Sequence, residues 1–336
     1  MFWRPTLAIV LCLTAGVASA GPEVAIREFA SAQIKKGVRV VGMGGDGATG
    51  GNYALNWKDT STALVDYGGT FFSDTGNDLH FVAAGFTAPS FWNGTAFYII
   101  AMAEWASDLK LRLTSPAFAR GANFLAQASD QAVFIKLARP LGHGVSVGIL
   151  LGWERSSLSA VEREAGGALT YTTPGLPSAG GGLTWEPSRW LLVGARFLLN
   201  NDWETRSDAI GSKSGWYHSW EWRFGVSVRA WRGALFDIGY VGLWRGSAVD
   251  GTERFEHAIA VGYEQELWPR HLTVRVGWNE TSPTAGLSLR AGRLRFDAAY
   301  VYKLGVARTN GLFGSVGHSI LSTITIDFAA RSGSAR

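Results

Sequence analysis

The residues able to do chemistry are few and scattered. Six histidines stand at His80, His143, His218, His257, His271 and His318, and none falls in a metal-ligand spacing such as HxxxH. His218 with His257 is the one loosely suggestive pair, and a Ser–His hydrolase is recognised by geometry rather than by spacing. The single cysteine, Cys12, sits inside an N-terminal apolar run, so the chain after it has no thiolate nucleophile, no disulfide and no cysteine metal site. Gly42-Met43-Gly44-Gly45-Asp46-Gly47 spells GxGxxG, but a dinucleotide site needs a strand before it and a helix after it. No helix follows, and flexible backbone packing is the simpler reading. The expectation is no catalytic residue, no metal and no cofactor. A different signal stands at residues 95–105. Ala96, Tyr98, Ile100 and Met102 alternate with Phe97, Ile99, Ala101 and Ala103, so an extended segment there is apolar on both faces. One face can meet the surroundings. The other offers a greasy strip to an apolar ligand, or to a packed segment of the same chain. Tyr98, Ile100 and Met102 are the candidates on it, with Val82, Ala84 and Phe86 of the preceding segment expected on the inward face beside them.

These residues must be held by strands. Residues 271–303 read as three alternating segments joined by two short breaks, with Leu272, Val274, Val276 and Trp278 on one face of the first and Thr273, Arg275, Gly277 and Asn279 on the other. The same period of two predicts fourteen strands: 63–71, 79–87, 95–105, 131–139, 145–155, 177–185, 190–200, 216–229, 234–245, 255–267, 272–279, 285–290, 294–303 and 318–328. Links after even strands are short, as at Trp231-Arg232-Gly233 and Ala291-Gly292-Arg293. Links after odd strands are longer, as at 106–130, 156–176 and 201–215. Short turns at one rim and long loops at the other are the arrangement of an outer-membrane barrel.

Alternation alone does not say which face is outside. The polar faces carry both charge signs, as with Glu221, Arg223 and Arg229 opposite Trp220, Trp222, Phe224, Val226 and Val228. Fourteen strands also enclose a lumen too wide for side chains to fill as a dry core. Aromatic residues gather near strand ends (Trp153, Trp185, Trp190, Trp244, Trp268, Trp278, Tyr302), where an interfacial girdle lies. The apolar faces are therefore expected to meet lipid, with Leu272, Val276, Leu287, Phe296 and Tyr300 outward and Arg275, Arg290, Arg295 and Asp297 in the lumen. Lumenal arginines such as Arg223, Arg275 and Arg295 could meet a carboxylate ligand, but Asp237, Glu264 and Asp297 are at hand as structural partners.

The bulk numbers agree. The 336 residues are 47% hydrophobic and 17% charged, with 43 glycines and 15 tryptophans, which suits many strands with Gly-rich turns and aromatic belts. The net charge of +4 is spread without a basic run, which excludes a nucleic-acid partner. After residue 20 there is no apolar run of about 18 residues, so no spanning helix is predicted. Residues 1–20 read as a secretory signal: Arg4, the apolar core from Leu7 to Leu13, and Ala18-Ser19-Ala20 before Gly21. Residues 21–60 are irregular and Gly-dense, 61–328 form the barrel, and 329–336 are a tail.

Two patches carry a resemblance. Gly37-Val38-Arg39-Val40-Val41-Gly42-Met43-Gly44-Gly45 looks like a GxRxxGMGGA start, with Asp46 where Ala is usual. Thr284-Ala285-Gly286-Leu287-Ser288-Leu289-Arg290 with Leu294-Arg295-Phe296-Asp297-Ala298-Ala299-Tyr300 looks like a late hairpin of the same group. With a signal and fourteen strands, the chain resembles the FadL family of outer-membrane transporters for long-chain fatty acids and other hydrophobic compounds. The resemblance implies residues 21–60 folded inside the lumen as a hatch, with Gly42, Gly44, Gly45 and Asn56 at hatch positions. The family's Asn-Pro-Ala motif is represented by Asn56 alone. It also implies an acyl-chain pocket against the third strand, and passive uptake of hydrophobic molecules across a Gram-negative outer membrane. The expected partners are outer-membrane lipid, a hydrophobic small molecule, and the barrel-assembly machinery during insertion of a monomer. A related branch serves in protein export or surface attachment, which leaves a barrel without small-molecule traffic as the alternative reading.

Overall fold

The computed structural model describes Met43 and residues 61–92, 94–113, 122–163, 167–208, 210–249, 251–279, 282–302 and 317–328. They form one antiparallel sheet: β1 (Thr62–Phe72), β2 (Asn77–Trp92), β3 (Thr95–Leu113), β4 (Ala122–Gly142), β5 (Val145–Glu162), β6 (Ala168–Thr172), β7 (Pro177–Ser188), β8 (Leu191–Asp208), β9 (Gly211–Arg229), β10 (Ala234–Ser247), β11 (Thr252–Trp268), β12 (Leu272–Asn279), β13 (Ser282–Ala291), β14 (Leu294–Tyr302) and β15 (Gly317–Asp327). β1 pairs with β15 from Thr62↔Asp327 to Phe72↔Gly317, which closes the sheet. Closure is what a hydrocarbon surrounding demands, because an open edge would leave backbone groups unpaired. β6 and β7 both lie between β5 and β8, one after the other along the same line. The fifteen strands therefore occupy fourteen wall positions, and the sixth of the predicted strands is one position made of two pieces.

Outside β2 the faces fall as the alternation predicts. Outward are Ile149, Leu151 and Trp153 on β5, Phe224 and Val226 on β9, Val276 and Trp278 on β12, Phe296 and Tyr300 on β14, and Ile320, Ile324 and Ile326 on β15. Inward and buried are Asp66, Arg196, Arg223, Asp237, Arg275 and Asp297. Exposed tryptophans mark two levels: Trp185, Trp190, Trp231 and Trp268 near the short turns, and Trp105, Trp153, Trp203 and Trp216 further up. On β5 the outward apolar row from Val145 to Trp153 is nine residues, within the roughly 9–11 that a tilted strand needs to cross the bilayer.

The expected long outer loops are mostly strand. β3 and β4 run to Leu113 and from Ala122, so most of 106–130 is paired wall. β8 and β9 continue to Asp208 and from Gly211. β6 lies within 156–176. The alternation in these extensions is inverted, which hid them. On β5, Leu158 and Ala160 are buried while Ser157 and Ser159 lie on the opposite, outward face. Outward hydroxyls hydrogen-bond across the strands here: Ser129 with Ser157 at 2.8 Å, Thr205 with Ser214 at 2.9 Å, and Ser207 to Ser212 at 2.9 Å. Such faces suit water rather than acyl chains, so the wall rises out of the membrane just above Trp153, Trp203 and Trp216.

Candidate functional site

The lumen is lined by two kinds of wall. From β2 to β5 it is largely apolar, with one buried basic side chain, Lys136 of β4, opposite Tyr98 and Leu150. Phe81 and Ala83, Ile100 and Met102, Ala132 and Phe134, and Leu150 form one buried cluster, which Leu198, Ala299, Val301 and Leu321 join from other strands. Tyr98 and Leu64 pack against it. A second cluster lies further up, inside the extended hairpins: Phe72, Leu79, Ala106, Leu109, Leu111, Phe124, Ala126, Leu158, Ala160, Leu169 and Tyr171.

Tyr98, Ile100 and Met102 thus stand together on the inward face. Val82 and Phe86 do not: they are 38% and 40% exposed, on the outward face with Ala84, while Phe81 and Ala83 turn inward. The cause is the pairing with β1. Asp66 is buried on the lumenal side and lies opposite Ala83, while the exposed Tyr67 lies opposite Val82. β2 is apolar on both faces and cannot choose between them, so its neighbour's polar face chooses for it, and a parity error by one residue reverses the whole set. Phe81 and Ala83 replace Val82 and Phe86 in the strip.

From β8 to β14 the lumen is charged and internally paired. Arg275 Nε donates to Glu264 Oε2 at 2.7 Å and its Nη2 to Ser288 Oγ at 2.6 Å. Asp297 accepts from Arg295 Nε at 2.7 Å and lies 3.6 Å from Arg275 Nη1. Glu221 takes Arg223 at 2.6 Å and Arg196 at 3.4 Å, and Arg245 pairs with Glu256. Asp237 accepts from Ser227. Each arginine named from the sequence as a possible carboxylate receptor has a carboxylate partner within the wall. The reading of these charges as a structural network is the one the geometry supports.

Between the two apolar clusters the lining changes. Met102, Glu104 and Ala106 are successive inward positions of β3, and Ala132, Asp130 and Ala128 are successive inward positions of β4. β5 contributes Glu154 and Ser156 at this height, below Leu158. Ser156 donates to Asp130 Oδ1 at 3.2 Å. The three carboxylates escaped sequence reading, although Glu104 continues the Tyr98, Ile100, Met102 face at even spacing. Just above them β3 bulges between Ala106 and Leu109, with Asp108 in the left-handed backbone region at φ 56°. The bulge shifts the inward parity from Ala106 to Leu109. A cavity of about 20 Å³ opens beside it, lined by Leu79, Glu104, Ala106, Asp130, Ser156 and Tyr171 among others.

Of the hatch positions, Gly42, Gly44, Gly45 and Asn56 lie outside the described residues, as do residues 1–20 and the tail 329–336. Met43 is described. It is buried, and its carbonyl oxygen sits 2.2 Å from where a Cβ on Gly262 of β11 would fall. Glycine at 262 is what lets that backbone lie against the lumenal wall. The histidines are not brought together. Across β10, His218 sits opposite Gly246 and His257 opposite Gly242, four residues along the strand. His218 packs against Trp220 and Trp244, and His257 against Phe255. Among the described residues no three of His, Cys, Asp and Glu are placed to hold a metal ion.

No protein-family model matches the chain, and no curated protein matches its sequence. Solved structures match its fold. A deletion mutant of the TodX monoaromatic hydrocarbon channel aligns with a TM-score of 0.61, covering 87% of this chain and 99% of that one, at 11% identity. A FadL homologue from Pseudomonas aeruginosa gives 0.58 over 83% and 93% at 12% identity. The Pseudomonas putida toluene transporter TodX gives 0.53 over 93% and 98%, also at 12%. The chain has the fold of FadL-type outer-membrane channels. That fold, with its outward apolar band between aromatic levels, points to a Gram-negative outer membrane.

Proposed function

We propose that the protein is an outer-membrane channel through which hydrophobic small molecules diffuse passively into the cell. The observation that carries this is the lumenal apolar strip of Phe81, Ala83, Tyr98, Ile100 and Met102, with Ala132, Phe134 and Leu150 beside it. A barrel of this width needs no apolar lining on one side to be stable, and a porin lumen is polar. An apolar lining is what a hydrophobic solute requires. The names of the fold neighbours, a monoaromatic hydrocarbon channel and a toluene transporter, support the same class of cargo. Long-chain fatty acids belong to that class through their acyl chains.

In this reading residues 1–20 direct export, residues 21–60 form a hatch whose Met43 rests on Gly262, and the monomeric barrel is inserted by the assembly machinery. The test is uptake. A deletion strain should take up labelled long-chain fatty acid and toluene more slowly than its parent, with recovery on complementation. Equal uptake by both strains, together with co-purification of a fixed envelope partner, would replace the channel by a structural or export-associated barrel.

A further inference from the structure

We infer that the acidic waist formed by Glu104, Asp130 and Glu154 is a head-group site, and that it selects hydrophobic molecules carrying an ammonium group over those carrying a carboxylate. The inference rests on the channel reading and names its preferred cargo. Glu104 is 6% exposed, and its Oε2 has no hydrogen-bond partner among the described residues. It lines the 20 Å³ cavity within the wall, where Asp130, Ser129, Ser156 and Ser157 are the other polar residues and Leu79 and Trp105 are among the apolar ones. That volume admits one group about the size of a water molecule, and a primary ammonium is such a group.

The charges favour a cation. Among the described residues the ionisable groups that act on Glu104 are Asp130 and Glu154, both carboxylates. A buried carboxylate with an unsatisfied oxygen is costly until a donor or an opposite charge reaches it. The tyrosine lining the cavity does not fill that role, because the Tyr171 hydroxyl already donates to Glu204 Oε2 at 3.1 Å. A metal cage is not formed, since the described acids are not gathered at metal-holding positions. An ammonium supplies three donors and a positive charge. The apolar clusters above and below the waist receive the rest of the molecule, because Met102 belongs to one and Ala106 to the other on the same strand face. A carboxylate head at the same point would meet the Glu104 and Asp130 carboxyl groups, with Glu154 on the next strand at the same height. The serine hydroxyls lining the cavity are engaged elsewhere, Ser156 Oγ with Asp130 and Ser129 with Ser157.

The experiment is calorimetric titration of the full-length barrel, in a non-ionic detergent, with octylamine, octanoate and octanol, which share one tail. Octylamine should bind at least tenfold more tightly than octanoate. Glu104→Gln should remove that preference and leave octanol binding unchanged. Folding of the variant is verified by its heat-modifiable migration. If Glu104→Gln does not fold, Asp130→Asn and competition of octylamine by ammonium chloride against an equal concentration of sodium chloride take its place. Both should weaken octylamine binding several-fold. Equal affinities for amine and carboxylate, or an unchanged preference in the variants, would overturn the inference while octanol binding keeps the channel reading intact. Loss of binding by all three compounds would count against the channel reading itself and remove the inference with it.

Discussion

The wall from β2 to β5 and the wall from β11 to β14 belong to one closed sheet and obey the same alternation, yet they face the lumen in opposite ways. β12, β13 and β14 are 8, 10 and 9 residues long, close to the height of the bilayer. Their lumenal charges answer one another across strands, with Arg275 reaching Glu264, Ser288 and Asp297. β3, β4 and β5 are 19, 21 and 18 residues long and rise out of the membrane. Their lumenal faces are apolar except at Lys136 on β4 and at the waist, where Glu104 Oε2 has no hydrogen-bond partner among the described residues. A network of arginines paired with carboxylates builds a wall. An apolar strip interrupted by an unsatisfied acid leaves something for a ligand to do.

The contrast can be broken by substitution. The largest effect is expected for Arg275→Ala. Removing one member of a buried ionic network leaves Glu264 and Asp297 uncompensated, at a cost of about 3–5 kcal/mol, read as a lower urea midpoint of heat-modifiable barrel. If Arg275→Ala were as stable as the parent, the network would not be what holds the short wall. Ile149→Arg comes next. Ile149 is 51% exposed near the middle of the outward apolar row of β5, and an arginine on the lipid face near the midplane costs roughly 2–4 kcal/mol. Ser159→Arg on the same face of the same strand should change the midpoint little, because that position lies above the membrane. Equal costs at 149 and 159 would move the interface upward.

Met102→Lys sharpens the functional half. Charging the strip should lower uptake of hydrophobic solutes at least tenfold, about 1.4 kcal/mol on the scale of free energy. The barrel should still show heat-modifiable migration, since lumenal substitutions tune selectivity more than they disturb insertion. Val82→Lys, on the outward face of β2, should instead disturb insertion, and an outcome with the two effects exchanged would restore the opposite parity for β2. The smallest effect is expected for Gly262→Ala. Its Cβ would meet the Met43 carbonyl at 2.2 Å, so the N-terminal segment should shift, read as a modest rise in single-channel conductance in planar bilayers.

How much was legible depended on whether each strand had one polar face. β5, β9, β12, β14 and β15 alternate apolar with polar or glycine, so their outward faces and the arginine network around Arg275 could be read directly. The apolar strip was legible as a property of β3, and Tyr98, Ile100 and Met102 do share the inward face. Val82 and Phe86 were misplaced because β2 presents apolar residues both ways. The tall hairpins were read as loops because their alternation inverts above the interface, with Leu158 and Ala160 inward and Ser157 and Ser159 outward.

The sequence by itself determined that this chain is a β-barrel with short turns at one rim, an apolar outer band and a lumen of paired charges. Period-two alternation and turn chemistry are local properties, and they survive without a partner strand. Only the tertiary structure decided which face of β2 lines the lumen, because Asp66 on β1 settles it through the Asp66↔Ala83 pair. It alone showed that β6 and β7 share one wall position, and that the bulge at Ala106 to Leu109 carries the apolar lining upward. It alone placed Glu104, Asp130 and Glu154 at one height. Register across strands is a long-range pairing, and residues distant in sequence become neighbours only when the sheet closes.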